Sequence, residues 1–232
     1  MKHVAAVMGL MVAGVATAAT PPDLTGFWTP AAKITALRTV DGAAPPLNAE
    51  GRKVYDQHLA ATAKGDRSWD NELQCRPPGV PRLVAESPFE IAQTPKTELF
   101  LYQWNRLQRP VDIRAHDDFD RAYPYYLGHP VGSWRGDTLV IDSIYFNKDT
   151  VLDATGLPHG DDLHVVEHMK LLDANTLQDT VTIDDPKLYT KSWQTVLRFN
   201  RMPADTRLPE DVCVERLGLK DLNTNSNRRP RD

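Results

Sequence analysis

Residues 156–170 read GLPHGDDLHVVEHMK and bring three histidines, two aspartates and a glutamate into fifteen positions. Such a set suits either proton transfer or metal binding, because imidazole and carboxylate serve both purposes. The second half alternates as a β-strand does, and period two sorts its residues onto two faces. Leu163, Val165, Glu167, Met169 and Leu171 share one face; His164, Val166, His168, Lys170 and Leu172 share the other. Glu167 is therefore a carboxylate in an apolar row. Burial disfavours its charged form unless a cation or a donor meets it. Two readings follow: a structural ion pair, with Arg198 or Arg82 as partner, or a functional acid or base. His164 and His168 stand four apart, about 13 Å along a strand, too far to share a metal. His164 adjoins the loop and is placed to lean over a cavity mouth. His159, inside GLPHG, is free to turn inward. Asp142 repeats the Glu167 pattern in DTLVIDSIYF, on the face of Val140 and Ile144.

A second group, YPYYLGHPVGSW at 123–134, offers Tyr125, Tyr126 and Trp134 as aromatic wall and His129 as a polar point. Small-molecule sites combine apolar surface with a few fixed polar groups. Packing of an aromatic cluster around one satisfied histidine is the alternative. The catalytic candidates are thus Glu167, His159, His164 and Asp142, and the substrate-binding candidates are His129, Tyr125, Tyr126 and Trp134. A metal held by His129, His159, His164 and Glu167 is disfavoured because His164 and Glu167 fall on opposite faces; no metal or cofactor is expected.

These side chains need a scaffold. Residues 1–19 read as a signal peptide: a positive start at Lys2, an apolar run from Val4 to Val15, and small residues for cleavage near Ala18. The run is shorter than the roughly 20 apolar residues of a membrane span. No cysteine follows it to carry a lipid anchor. Export to the periplasm or the cell exterior is expected, and residues 20–232 are expected to form a single mainly-β domain. The formal charge of −4 argues against nucleic acid or an anionic membrane as partner. A small molecule remains the expected partner. Cys75 and Cys213 are the only cysteines. In an oxidising compartment an even pair favours a disulfide; two separate buried thiols are the alternative.

Residues 49–64 carry the one clear helical pattern, with Asn48 as cap and Gly65 as stop. From residue 89 the period is two. Strands are expected at 89–94, 97–104, 109–116, 130–134, 137–146, 162–172, 176–184 and 192–200, separated by turn residues and followed by an irregular tail. With no helix between the later strands, this is an antiparallel meander closed as a lipocalin-like barrel, or folded as a β-sandwich.

The blocks PDLTGFW, CRPPGVPR, PFEIAQTP, GHPVGSWRGDTLVIDS, LPHGDDLHVVEH and DDPKLYTKSW resemble those of an uncharacterised family of exported bacterial proteins. Its pattern runs PDLTGxW, CxPxGxPR, PFEIxQTP, GHSxGxWEGDTLVVDT, LPHSxxLHVVER and EDPxxYTxPW. The resemblance spans most of the chain after residue 20. It implies a lipocalin-like architecture and brings no activity with it. His129, Trp134, Asp142, His159, His164 and Glu167 fall on its polar and aromatic positions. The chain departs from the pattern at Pro130, Arg135, Gly160 and His168, and most of all across 109–127.

No GxGxxG or GxxxxGK[ST] supports nucleotide binding, no GxSxG supplies a nucleophile, and no CxxC or HExxH marks zinc or haem. Two functions stay in competition. The first is a cofactor-independent lyase, dehydratase or isomerase acting on a small apolar or aromatic molecule. In it Glu167 or Asp142 would be the acid or base, and a histidine would move the opposite proton. The second is a non-catalytic periplasmic protein that binds a hydrophobic ligand. A structural envelope protein is a third reading with no positive signal.

Overall fold

A computed structural model describes residues 20–113 and 123–219. The expected signal peptide at 1–19, the end of the strand expected at 109–116 and the end of the irregular tail lie outside the described residues. Among the described residues, nine strands close into one barrel in chain order: β1 (Gly26–Pro30), β2 (Phe89–Gln93), β3 (Thr97–Tyr102), β4 (Gln108–Asp112), β5 (His129–Arg135), β6 (Thr138–Ile144), β7 (His164–Asp173), β8 (Thr176–Asp184) and β9 (Trp193–Arg201). The mainly-β meander closed as a barrel is therefore what the chain adopts. Every neighbouring pair is antiparallel except β4 and β5, which meet in parallel at Asp112 and Val131.

Alternation positions the side chains as period two requires. Along β7, Val165, Glu167 and Met169 are buried while His164, Val166 and His168 are half-exposed. The barrel's inner wall carries Phe89, Phe100 and Tyr102 from β2 and β3 and Phe199 from β9, with Phe89 as hub; ring centroids lie 5.1–5.8 Å from it. Tilted and edge-on contacts of this kind favour aromatic pairs beyond simple area burial.

Closure rests on β1 against β9, with Trp28 opposite Arg201. The Arg201 guanidinium lies 4.1 Å from the centre of the Trp28 ring, and it donates to the carbonyls of Thr25 (2.6 Å) and Ala174 (2.7 Å). Gly26 makes room for it: a Cβ there would sit 2.7 Å from Arg201 Nη1.

Helix α1 (Ala49–Ala63) begins where Asn48 accepts from the Gly51 amide at 2.9 Å. Its apolar face is weak, as the sequence suggests, and only Gly51 is buried. Hydrogen bonds hold it to the loops beside the barrel instead: Asn48 N to the Leu188 carbonyl (2.9 Å), Tyr55 with Thr155 (2.6 Å) and His58 Nδ1 to the Gly156 carbonyl (2.7 Å). A short helix α2 (Arg82–Glu86) leads into β2, and α3 (Cys213–Arg216) follows the barrel. Cys75 and Cys213 form the expected disulfide, Cα to Cα 5.6 Å, tying α3 to the segment before α2.

Candidate functional site

The predicted catalytic residues do not converge. Glu167 projects into the barrel and is fully buried, as the alternation requires. It meets a guanidinium there rather than an imidazole. Arg109 of β4 donates Nη1 to Oε1 at 2.9 Å and Nη2 to Oε2, a two-point pairing, while Nη2 also reaches Ser143 Oγ at 3.1 Å. The sequence pointed to Arg198 or Arg82 as the partner, and neither is. Arg198 lies on the outside of β9 against Gln178, and Arg82 serves a different cluster. Burial works to lower the Arg109 pKa, but Glu167 more than offsets it and Arg109 stays charged. With its acceptor sites taken up by a permanent cation, Glu167 is built to hold the wall together.

Two further polar groups share this interior. Asp179 of β8 is fully buried, and neither of its carboxylate oxygens has a hydrogen-bond partner among the described residues. Burial first, and then the charge of Glu167, raise its pKa well above the ordinary carboxylate range, with Arg109 pulling the other way. Tyr102, raised by burial, completes the group. Arg109 and Asp179 carried a sequence signal that was missed. Each sits in an apolar row of period two, with Val111 and with Leu177, Val181 and Ile183, as Glu167 does.

Asp142 is a correction. It shares a face with Val140, but that face is the outer one, and the Asp142 side chain is 57% exposed. His164 is half-exposed on the same outer surface, where its Nε2–H donates to Asp142 Oδ1 at 2.8 Å. His159 is buried in the loop before β7, away from the barrel interior. Its Nδ1–H donates to the Gly160 carbonyl at 2.8 Å, and burial lowers its pKa. The neutral ring leaves Nε2 to accept from Thr150 Oγ1 at 2.7 Å. It lines a polar cavity of 420 Å³ that also takes in His58, Trp69 and Asn71.

The binding candidates fare differently. Tyr125, Tyr126 and His129 all line one cavity of 390 Å³ at the start of β5, whose wall is otherwise largely apolar: Pro77, Leu107, Pro110 and Leu127. His129 stacks on Tyr125 with ring centroids 4.2 Å apart, and its Nε2 lies 3.0 Å from the Tyr123 carbonyl. Trp134 is not part of this wall. It stands five residues along β5, about 17 Å away by strand rise, and donates Nε1 to Glu98 at 3.3 Å. Burial pushes Glu98 up to about 7.

A third place was not anticipated. A cavity of 790 Å³ lies beside α2 and the disulfide-linked segment, walled by Leu73, Pro78, Leu83, Pro88 and Trp104. Behind it Arg82 is 2% exposed and holds three carboxylates: Asp70 and Glu72 at 2.7 Å and Glu86 at 3.2 Å. Burial pushes Glu86 up to about 7; Arg82 opposes the rise, and Glu72 and Asp70 add to it. CRPPGVPR and the following LVAE contain Arg82 and Glu86, but no periodic pattern singles them out. No model of a known protein family and no curated protein matches the chain.

Proposed function

We propose that this protein binds a small apolar or aromatic molecule, without changing it, in the cavity at the start of β5. The observation that carries the reading is the meeting of Tyr125, Tyr126 and His129 on one largely apolar wall. A cavity of 390 Å³ suits a one- or two-ring molecule and lies within the range of small-ligand pockets, about 300–1,000 Å³. Apolar contact supplies the affinity, and the few polar groups orient the ligand. The disulfide fits an oxidising compartment, and we place the protein in the periplasm or outside the cell, as the resemblance to exported lipocalin-like proteins implies.

A lyase or isomerase built on Glu167 draws no support from this geometry, since Arg109 occupies both carboxylate oxygens and the histidines lie elsewhere.

Native mass spectrometry of freshly purified protein, followed by titration with indole and naphthalene read by saturation-transfer NMR, tests the proposal. Indole should bind and be recovered unchanged. Tyr126→Ala should weaken it about tenfold, the loss of roughly 1.4 kcal/mol of aromatic contact. Absence of any transfer from both probes, or equal binding by Tyr126→Ala, would sink the reading.

A further inference from the structure

The 790 Å³ cavity has a chemistry distinct from the cavity at β5. Its charged groups are nearly all spent on one another. Asp70 accepts from Arg67 and Arg82, Glu72 from Arg82, Trp104 and Arg216, and Asp211 from Arg216 and the Asn105 amide. Within this group one carboxylate oxygen has no hydrogen-bond partner among the described residues: Glu86 Oε2, whose sister Oε1 is held by Arg82 Nε at 3.2 Å. Glu86 is 24% exposed and lines the cavity, so Oε2 is available to an occupant. One donor on the same wall is also unspent: Lys33 is exposed and enters no ion pair among the described residues.

We propose that this cavity is a second small-molecule site, which takes a monoanionic carboxylate together with one proton on Glu86. Charge balance fixes the proton that must accompany a monoanion. Lys33, Arg67, Arg82 and Arg216 face Asp70, Glu72, Asp211 and Glu86, so the group is neutral when Glu86 is ionised and carries one positive charge when Glu86 is protonated. A monoanion restores neutrality only in the second case. Protonated Glu86 then donates its O–H to the ligand carboxylate, whose charge is also met by Lys33. The proton comes from solvent and no covalent bond changes. A titration near 7 makes both forms available at neutral pH. Leu73, Pro78, Leu83 and Trp104 receive the apolar body of the ligand.

The probe is 3-phenylpropanoate, titrated calorimetrically into the full, disulfide-intact chain at pH 7 in phosphate and in Tris, whose ionisation enthalpies differ. Binding should take up about half a proton, read from the difference in heat between the buffers. Glu86→Gln keeps a donor that cannot titrate, so it should bind with no uptake. Glu86→Ala and the uncharged 3-phenylpropanamide should each lose at least tenfold in affinity, while Tyr126→Ala should change nothing. No binding of the acid overturns the proposal. So does uptake that persists in Glu86→Gln, or affinity lost in Tyr126→Ala but kept in Glu86→Ala.

Discussion

Exchanging Glu167 for Gln removes the charge facing Arg109 while keeping the shape of the side chain. Removing one partner of a buried ion pair typically costs about 3–5 kcal/mol, because the other charge is left without compensation. This barrel contains a replacement. Asp179 is buried in the same interior and feels both charges; burial and Glu167 keep its proton on, and Arg109 works to remove it. Once residue 167 is neutral, Arg109 acts on Asp179 without competition, and Asp179 ionises in its place. Glu167→Gln alone should therefore cost less than that range, about 1–3 kcal/mol, and the double variant with Asp179→Asn should exceed the sum of the singles by about 2 kcal/mol. The sign for Asp179→Asn follows from linkage. The folded carboxyl keeps its proton above the ordinary 3.8, where the unfolded chain has shed it. Its contribution is complete below that pH and falls by about 1.4 kcal/mol per pH unit until the folded group ionises. Asp179→Asn should thus be near neutral at pH 4 and increasingly stabilising toward pH 7. Urea unfolding followed by tryptophan fluorescence at three pH values reads all four species. Single effects that add within 0.5 kcal/mol, or a gain from Asp179→Asn that ignores pH, would refute the shared-charge reasoning.

Glu86→Gln should stabilise the fold at pH 8 by up to about 3 kcal/mol, since a rise from 4.5 to about 7 costs roughly 1.4 kcal/mol per unit in the ionised state; the gain should vanish at pH 4, and thermal melts at the two values check it. Replacing Cys75 and Cys213 by serine opens a loop with a sequence separation of 138 and should cost about 5 kcal/mol on the chain-entropy model. Comparing its melting with that of the parent, with and without reductant, measures the loss. Gly128 has φ +66°, and a Cβ there would meet Phe146 at 2.7 Å, so Gly128→Ala should lose at least about 1–2 kcal/mol and weaken indole binding beside it. Denaturant midpoints and the indole titration report the two effects separately.

Much of the barrel was legible because alternation is a local property. The strands expected at 176–184 and 192–200 are found at Thr176–Asp184 and Trp193–Arg201, and the helix expected at 49–64 ends one residue earlier. The inward row of β7, Glu167 included, follows from the same rule. Helix α2 escaped notice because its five residues, set between Pro81 and Pro88, are too few to display a 3.6-residue period. Asp142 was misplaced for a different reason. Alternation groups it with Val140 and Ile144 but does not say which face looks inward, and Val140 is covered although it stands on the outer side.

The order of apolar and polar residues along each segment, read alone, determined the β-rich class, the approximate places of the strands after residue 88 and the apolar row that Glu167 shares. These depend on backbone geometry and composition, which neighbouring residues carry among themselves. Only the tertiary structure decided that Arg109 answers Glu167, that Asp179 is buried beside them with its pKa raised, and that Tyr125, Tyr126 and His129 share a wall that Trp134 does not reach. Those relations arise when β1 meets β9 and strands far apart in the chain close around one interior. A charge's partner is then set by distance through space, which one-dimensional spacing does not encode.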